Sequence, residues 1–305
     1  MTARGSAWEG GPPDPPTAPL PRVDYWGDAS PRDAAPTDRQ DPQAAEAAEY
    51  AEYAEVPRKL HRGRWLLRRV TALVVVLVVL GALAFGALLV VTPSVGNAQA
   101  LAKAQDVAHH AVYPGPPVPA RFAESLVATE DHRFYSEPGI DPLAIGRVAE
   151  AAVTGQGDQG GATLDQQLAK LLYTAGKPGV LAKVEQVGLA VKLYLSYTHP
   201  QILQMYADVA YFGHGYYGLS AASCGYFGTT SAGLSWPEAA TLAGLVQGPS
   251  TDDPILHYAR ARAREHHVLG RLVATNVLSQ AQANAAFSQQ LHLVGGSGTA
   301  CGATR

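Results

Sequence analysis

Between Val70 and Val91 the chain carries no charged residue, reading VTALVVVLVVLGALAFGALLVV. At about 1.5 Å per residue, a helix of this run is about 33 Å long, enough for a hydrocarbon core of about 30 Å. A helix at the surface of a soluble core would show polar residues at helical spacing, and this one shows none. The pattern predicts a transmembrane helix over residues 70–92. Arg58, Lys59, His61, Arg62, Arg64, Arg68 and Arg69 form a basic juxtamembrane segment at 58–69. Positive charge on that side places the N-terminus in the cytoplasm and everything beyond Thr92 outside. Ala98-Gln99-Ala100 looks like a signal-cleavage site, but the apolar run starts too late and runs too long for a secretory signal.

The flanks follow a different pattern. Residues 1–57 are rich in Pro, Ala, Asp and Glu and poor in aliphatic side chains. Such a segment cannot bury enough apolar surface to offset its ordering entropy, so it reads as a disordered cytoplasmic tail. Beyond the anchor, apolar residues recur at helical spacing in Pro200–Tyr206 and Trp236–Ala243, and Arg260–Val273 reads as a basic amphipathic helix. Ser235, followed by Pro237 and Glu238, has the chemistry of a helix N-cap region. No alternating strand-turn-strand pattern appears, so the predicted fold class is mainly α. One globular domain is expected over 99–290, with a flexible Gly-rich tail at 291–305.

Composition narrows the function. The chain has 305 residues, a net charge of −3 and only 16% charged residues, which gives no bulk-charge argument for nucleic acid. Two cysteines, Cys224 and Cys301, are too few for a disulfide scaffold, and they can pair only if both lie outside the cytoplasm. The ten histidines show no metal-ligand spacing.

Three segments carry candidate chemistry. Glu130 and Asp131 end an apolar, helix-like run, where a partly apolar cleft would raise a carboxylate towards the range of a general base. An exposed helix-end pair is the plainer reading of the same residues. Gly160-Gly161-Ala162-Thr163 frees the backbone just before a helix in which Gln166, Gln167 and Lys170 share a face. Amide donors, a cation and a helix N-terminus together suit a phosphate-bearing ligand, though a capped surface helix would look the same. Gly213-His214-Gly215-Tyr216-Tyr217-Gly218 matches the dinucleotide fingerprint literally. That fingerprint needs a strand before it, and a helical run precedes it here, so the match is accidental.

In this order the motifs resemble glycosyltransferase family 51, the peptidoglycan polymerases, over about residues 105–275. The family's EDxxFxxHxG is similar to Glu130 through Gly139, and its GGSTxTQQLxKN to Gly160 through Leu171. A third stretch runs from Tyr206 through Thr229, and a fourth from Leu234 through Pro254. The resemblance implies a lysozyme-like helical glycosyltransferase domain on a single N-terminal transmembrane helix, with a small membrane-dipping subdomain. It implies polymerisation of lipid II, in which the acceptor 4-hydroxyl attacks the donor's anomeric carbon and undecaprenyl pyrophosphate leaves. By correspondence Glu130 would be the base, and Gln186 would stand at the second catalytic position. Asp131, Phe134, Gly160, Gly161, Thr163, Gln166, Gln167, Lys170 and Lys183 would form the substrate site. The implied cofactor is a divalent cation, Mg or Mn, with no organic cofactor. The implied partners are lipid II, the growing glycan strand, the membrane, and cell-wall synthesis or division proteins.

The departures from the family pattern matter as much. Gln186 stands where the family has its second Glu, Ala182 where it has an Arg and Tyr194 where it has an acid. Glu185 lies one residue early, about 100° away around a helix. Glu137 replaces a His, Ala162, Asp165 and Leu171 replace a Ser, Thr and Asn, Pro178 replaces a cation and Asp208 an Asn. Two readings follow: a polymerase, or a weak or inactive paralogue that binds lipid II or cell-wall partners. A glycan cleaver is disfavoured, since it usually needs a second carboxylate near the first.

Overall fold

The structure is a computed structural model that describes residues 58–141, 162–175, 177 and 179–295. The predicted tail at 1–57 and all but the first residues of the 291–305 tail lie outside the described residues. The chain divides into two compact units, residues 1–70 and 71–305. Among the described residues of the first unit, Arg69 stacks its guanidinium 3.7 Å from the ring centre of Trp65. Basic and aromatic residues of this kind anchor a membrane helix at the interface.

The regular elements are all helical. α1 is Arg58–Val91, and its part from residue 64 to 91 is long and apolar enough to cross a membrane, with mean hydropathy 3.1. Its apolar side chains face outward, Leu73, Val78 and Leu83 being more than half exposed. There follow α2 (Ala98–Ala108), α3 (Ala120–Glu130), α4 (Leu164–Tyr173), α5 (Val180–Ser196) and α6 (His199–Val209). The chain continues through α7 (Leu219–Phe227), a 3-10 turn at Ser231–Gly233, α8 (Trp236–Leu245), α9 (Tyr258–Ala274) and α10 (Gln280–Phe287). Among the described residues the one extended pairing is a bridge between Tyr211 and Tyr217.

The second unit is built around α8. Ala239, Ala240, Leu242, Ala243 and Leu245 are fully buried, so this helix is apolar nearly all round and serves as the core of the bundle. It packs between α3 and α9, while α4 lies between α5 and α6. Ser235 closes a capping box with Glu238, its backbone N–H donating to Glu238 Oε2 at 2.8 Å. α9 is amphipathic as its sequence predicts, burying Ala261, Glu265, Val268 and Leu272 on one face. Its arginines are structural as well as polar. Arg271 donates to Ala128 O at 3.0 Å, and Arg262 to Gln289 O at 3.0 Å and to buried Glu265 at 2.6 Å.

α5 packs against the C-terminal end of α1. A Cβ on Gly188 would stand 3.1 Å from Leu88 Cγ and Thr92 Cγ2, so the helices meet where a side chain is missing. Lys192 Nζ donates to the carbonyls of Thr92 and Pro93 at 2.6 and 3.0 Å, satisfying acceptors that the end of α1 leaves open.

Candidate functional site

α3 ends at Glu130, and α4 starts 34 residues later at Leu164; a buried carboxylate ties the two ends together. Asp131 Oδ2 accepts from the backbone N–H of Leu164 at 2.9 Å, filling one of the donors that a helix N-terminus leaves open. Thr163 caps α4: its hydroxyl accepts from Gln166 N at 3.1 Å and donates to Gly139 O at 2.7 Å. The Gln166 side chain completes the box by accepting from Thr163 N at 3.2 Å.

This join presents Glu130 to Gln167. Gln167 Nε2 donates to Glu130 Oε2 at 3.0 Å, and Gln167 Oε1 accepts from the Tyr206 hydroxyl at 2.8 Å. Burial raises the Glu130 carboxyl above the usual glutamate range. The hydrogen bond from Gln167 and the Arg264 guanidinium pull it down, and Asp131 adds to the rise. The result is a half-buried carboxylate, more basic than an ordinary glutamate and held by one amide. That is the profile of a general base.

The remaining sequence-predicted residues fall into three groups. Phe134 is fully buried, its ring 4.9 Å from His199 and 5.1 Å from Tyr135, so it supports the site from within the core. Asp131 and Thr163 are likewise buried, and with Gln166 they hydrogen-bond to backbone at the start of α4, so each of these four has a structural role in shaping the site. Lys170 and Lys183 are exposed on α4 and α5. Gly160, Gly161 and Pro178 lie outside the described residues. Gln186 Nε2 donates to Thr174 Oγ1 at 2.7 Å, whereas Glu185 turns to Lys177 at 3.3 Å. The two neighbours thus have separate partners, as their angular offset on a helix requires.

A second acidic cluster lies beneath the site. Arg133 pairs with Asp141 and, at 3.7 Å, with Glu137, which is buried. Burial, then a hydrogen bond donated to Asp131, pushes the Glu137 carboxyl up to about 8. Burial and the nearby Asp131 push Asp165 up to about 7. Both carboxyls hold a proton in the fold that they release in the unfolded chain above about pH 5. The native state therefore binds more protons, and stability is highest at low pH and falls as pH rises through about 7 to 8. We expect the thermal midpoint to be several degrees higher at pH 5.5 than at pH 8.5, and Glu137→Gln to shrink that difference. A Glu137→Gln profile identical to wild type would remove Glu137 from the account.

The described residues around Glu130 hold no ready-made set of ligands for the implied divalent cation. Among the described residues no three His, Cys, Asp or Glu side chains are placed to hold a metal ion. The acids near Glu130 are occupied by the Leu164 N–H, by Arg133 and by each other.

Two participants carried no sequence signal as site residues. Tyr206 opens the third motif stretch but lies 39 positions from its partner Gln167, and Arg264 lies on α9. The distance in sequence hides both the Tyr206–Gln167 hydrogen bond and the charge effect of Arg264 on Glu130.

The transglycosylase family model matches residues 97–273. The chain is 36% identical over 166 residues to penicillin-binding protein 1A of Escherichia coli (strain K12), covering 54% of this chain and 20% of that protein. It is 36% identical over 177 residues to penicillin-binding protein 1F of Bacillus subtilis (strain 168), covering 58% and 25%. This chain therefore spans a fifth to a quarter of the length of these relatives. The match to a crystal structure of penicillin-binding protein 1A from Haemophilus influenzae covers 58% of this chain and 17% of that one at 20% identity, with a TM-score of 0.34.

Proposed function

The chain belongs to the transglycosylase family, and from that premise we propose that it is a membrane-anchored peptidoglycan glycosyltransferase that polymerises lipid II. The observation that carries this reading is Glu130, half buried, raised in basicity and oriented by Gln167. In the reaction Glu130 takes the proton of the acceptor sugar's 4-hydroxyl. The freed oxygen bonds to the donor's anomeric carbon, and the bond from that carbon to phosphate breaks. Undecaprenyl pyrophosphate leaves with the electron pair. Lys170 and Lys183, exposed on α4 and α5, would offer positive charge to the departing pyrophosphate.

Anchorage suits a substrate with a polyprenyl chain. The arginines ahead of α1 favour a cytoplasmic N-terminus, with the domain outside. Cys224 is disulfide-bonded, which suits an oxidising compartment, while Cys301 lies outside the described residues. At the start of α5, Val180 and Leu181 are 75% and 85% exposed, an apolar edge that suits contact with the bilayer.

A second reading is favoured by Gln186. Its amide is satisfied by Thr174, a neutral pair where the family pattern has a carboxylate. A chain that lost this charge would bind lipid II and turn it over slowly. Incubating the purified full-length protein with fluorescent lipid II in detergent, with and without added Mg or Mn, tests both readings. Polymer ladders from the wild type support the polymerase. Lipid II binding without polymer, with ladders gained by Gln186→Glu, supports the paralogue.

A further inference from the structure

Tyr206 is buried on α6, and its hydroxyl reaches into the site through Gln167. We propose that Tyr206 is a positioning residue that sets the orientation of the Gln167 amide and so holds Glu130 as an ionised, correctly aimed base. This rests on the reading of Glu130 as the base of a glycosyl transfer.

The argument is one of donors and acceptors. An ionised carboxylate only accepts hydrogen bonds, so Gln167 must turn its NH2 towards Glu130. That leaves Gln167 Oε1 facing Tyr206, and the phenol must donate to it, as the 2.8 Å contact does. Burial, and next the nearby Glu130, raises the Tyr206 phenol well above its ordinary range, so it keeps its proton and remains a donor. If the amide flipped, its oxygen would face Glu130, and only a protonated Glu130 could answer it. The phenol oxygen could accept from the NH2 of a flipped amide, but its own buried proton would then lose the acceptor it has in Gln167 Oε1, and that cost is what Tyr206 sets against the orientation that favours protonated Glu130. The other groups that face Glu130 act by charge: Arg264 from α9 favours the ionised form, and Asp131 after α3 opposes it. Neither selects the amide's orientation.

Tyr206→Phe removes one oxygen and preserves the ring that fills the core. The decisive readout does not need turnover: carbon-13 NMR titration of the Glu130 carboxyl in the full-length protein in detergent, assigned with Glu130→Gln. In Tyr206→Phe the titration midpoint is expected to rise by about half a pH unit or more, roughly a threefold gain in proton affinity. Gln167→Leu should move it the same way, and adding Tyr206→Phe to Gln167→Leu should move it no further. A midpoint unchanged in Tyr206→Phe, or a shift that persists in full without Gln167, would overturn the relay. Lipid II polymerisation supplies the second arm. The acid limb of the pH profile should move with the titration, with up to about a threefold loss at pH values below the Glu130 midpoint and little change well above it. An equal loss at every pH would mean a merely structural role for Tyr206. Wild-type protein that makes no polymer while the NMR shift is present would overturn the function assigned to Glu130 and leave the relay standing.

Discussion

Glu130→Gln is expected to lower polymer formation by about a thousandfold or more, while the protein unfolds at a temperature close to that of the wild type. The size follows from the role: general-base catalysis contributes about 10²–10⁴-fold, and an amide cannot take the acceptor's proton. The small effect on stability follows from the surroundings. Burial already disfavours the Glu130 charge, so an isosteric neutral group relieves a desolvation cost as it gives up the attraction of Arg264. The amide can still contact Gln167 across the same 3.0 Å, with one of the pair reoriented. Unfolding curves and lipid II gels on the same preparation separate the two effects. A variant that keeps a tenth or more of the wild-type rate would mean that another group accepts the proton.

The second large effect concerns folding. At Gly213 φ is +88°, and an added Cβ would stand 2.2 Å from the carbonyl oxygen of Pro249 and 2.9 Å from the Tyr226 hydroxyl. Backbone cannot yield to that contact as a flexible side chain can. Gly213→Ala is expected to cost about 3 kcal/mol or more, combining a left-handed conformation with overpacking. For a domain of this size that is a fall of roughly 10 °C in thermal midpoint. Gly215 gives the comparison: its φ is +79° but nothing lies within 4 Å of its added Cβ. Gly215→Ala should cost only about 1–2 kcal/mol, the conformational part alone. Equal costs at the two positions would show that the Pro249 contact does not matter.

The same stretch illustrates what the sequence disclosed. Gly213 and Gly215 match a nucleotide fingerprint by letter, but α6 rather than a strand precedes them, as the apolar spacing of Ile202–Tyr206 predicts. Their glycines serve a tight turn in which Phe212 N–H meets Tyr216 O at 2.9 Å. The uncharged run of α1, the cap at Ser235 and the apolar face of α9 were equally legible. Each is a local pattern with a period or a chemistry of its own.

The site was legible in part. Glu130 stands out as a carboxylate at the end of an apolar helix, and its place in α3 follows from local spacing. The residues around Thr163 show what spacing alone leaves undecided. Thr163 and Gln166 satisfy both a ligand-contact reading and the capping-box pattern, and in the fold they form the cap. Phe134 and Asp131 lie beside Glu130 in sequence, yet their side chains turn into the core. The Tyr206–Gln167–Glu130 chain joins three helices, and no periodicity within one helix encodes it. Glu137 and Asp165 replace a His and a Thr of the family pattern. That their carboxyls bind protons far above the usual carboxylate range follows only from the burial and the neighbours that the fold provides.

The central claim is that this chain joins lipid II units with Glu130 as the base. Its most direct test is to count both products of turnover by the wild-type full-length protein and by Glu130→Gln at the same pH. Each glycosidic bond formed must release one undecaprenyl pyrophosphate. The account predicts equal amounts of new sugar linkage and released pyrophosphate lipid from the wild type, and neither from Glu130→Gln. Lipid II that is bound but never consumed by the wild type, or linkages formed equally well by Glu130→Gln, would contradict it.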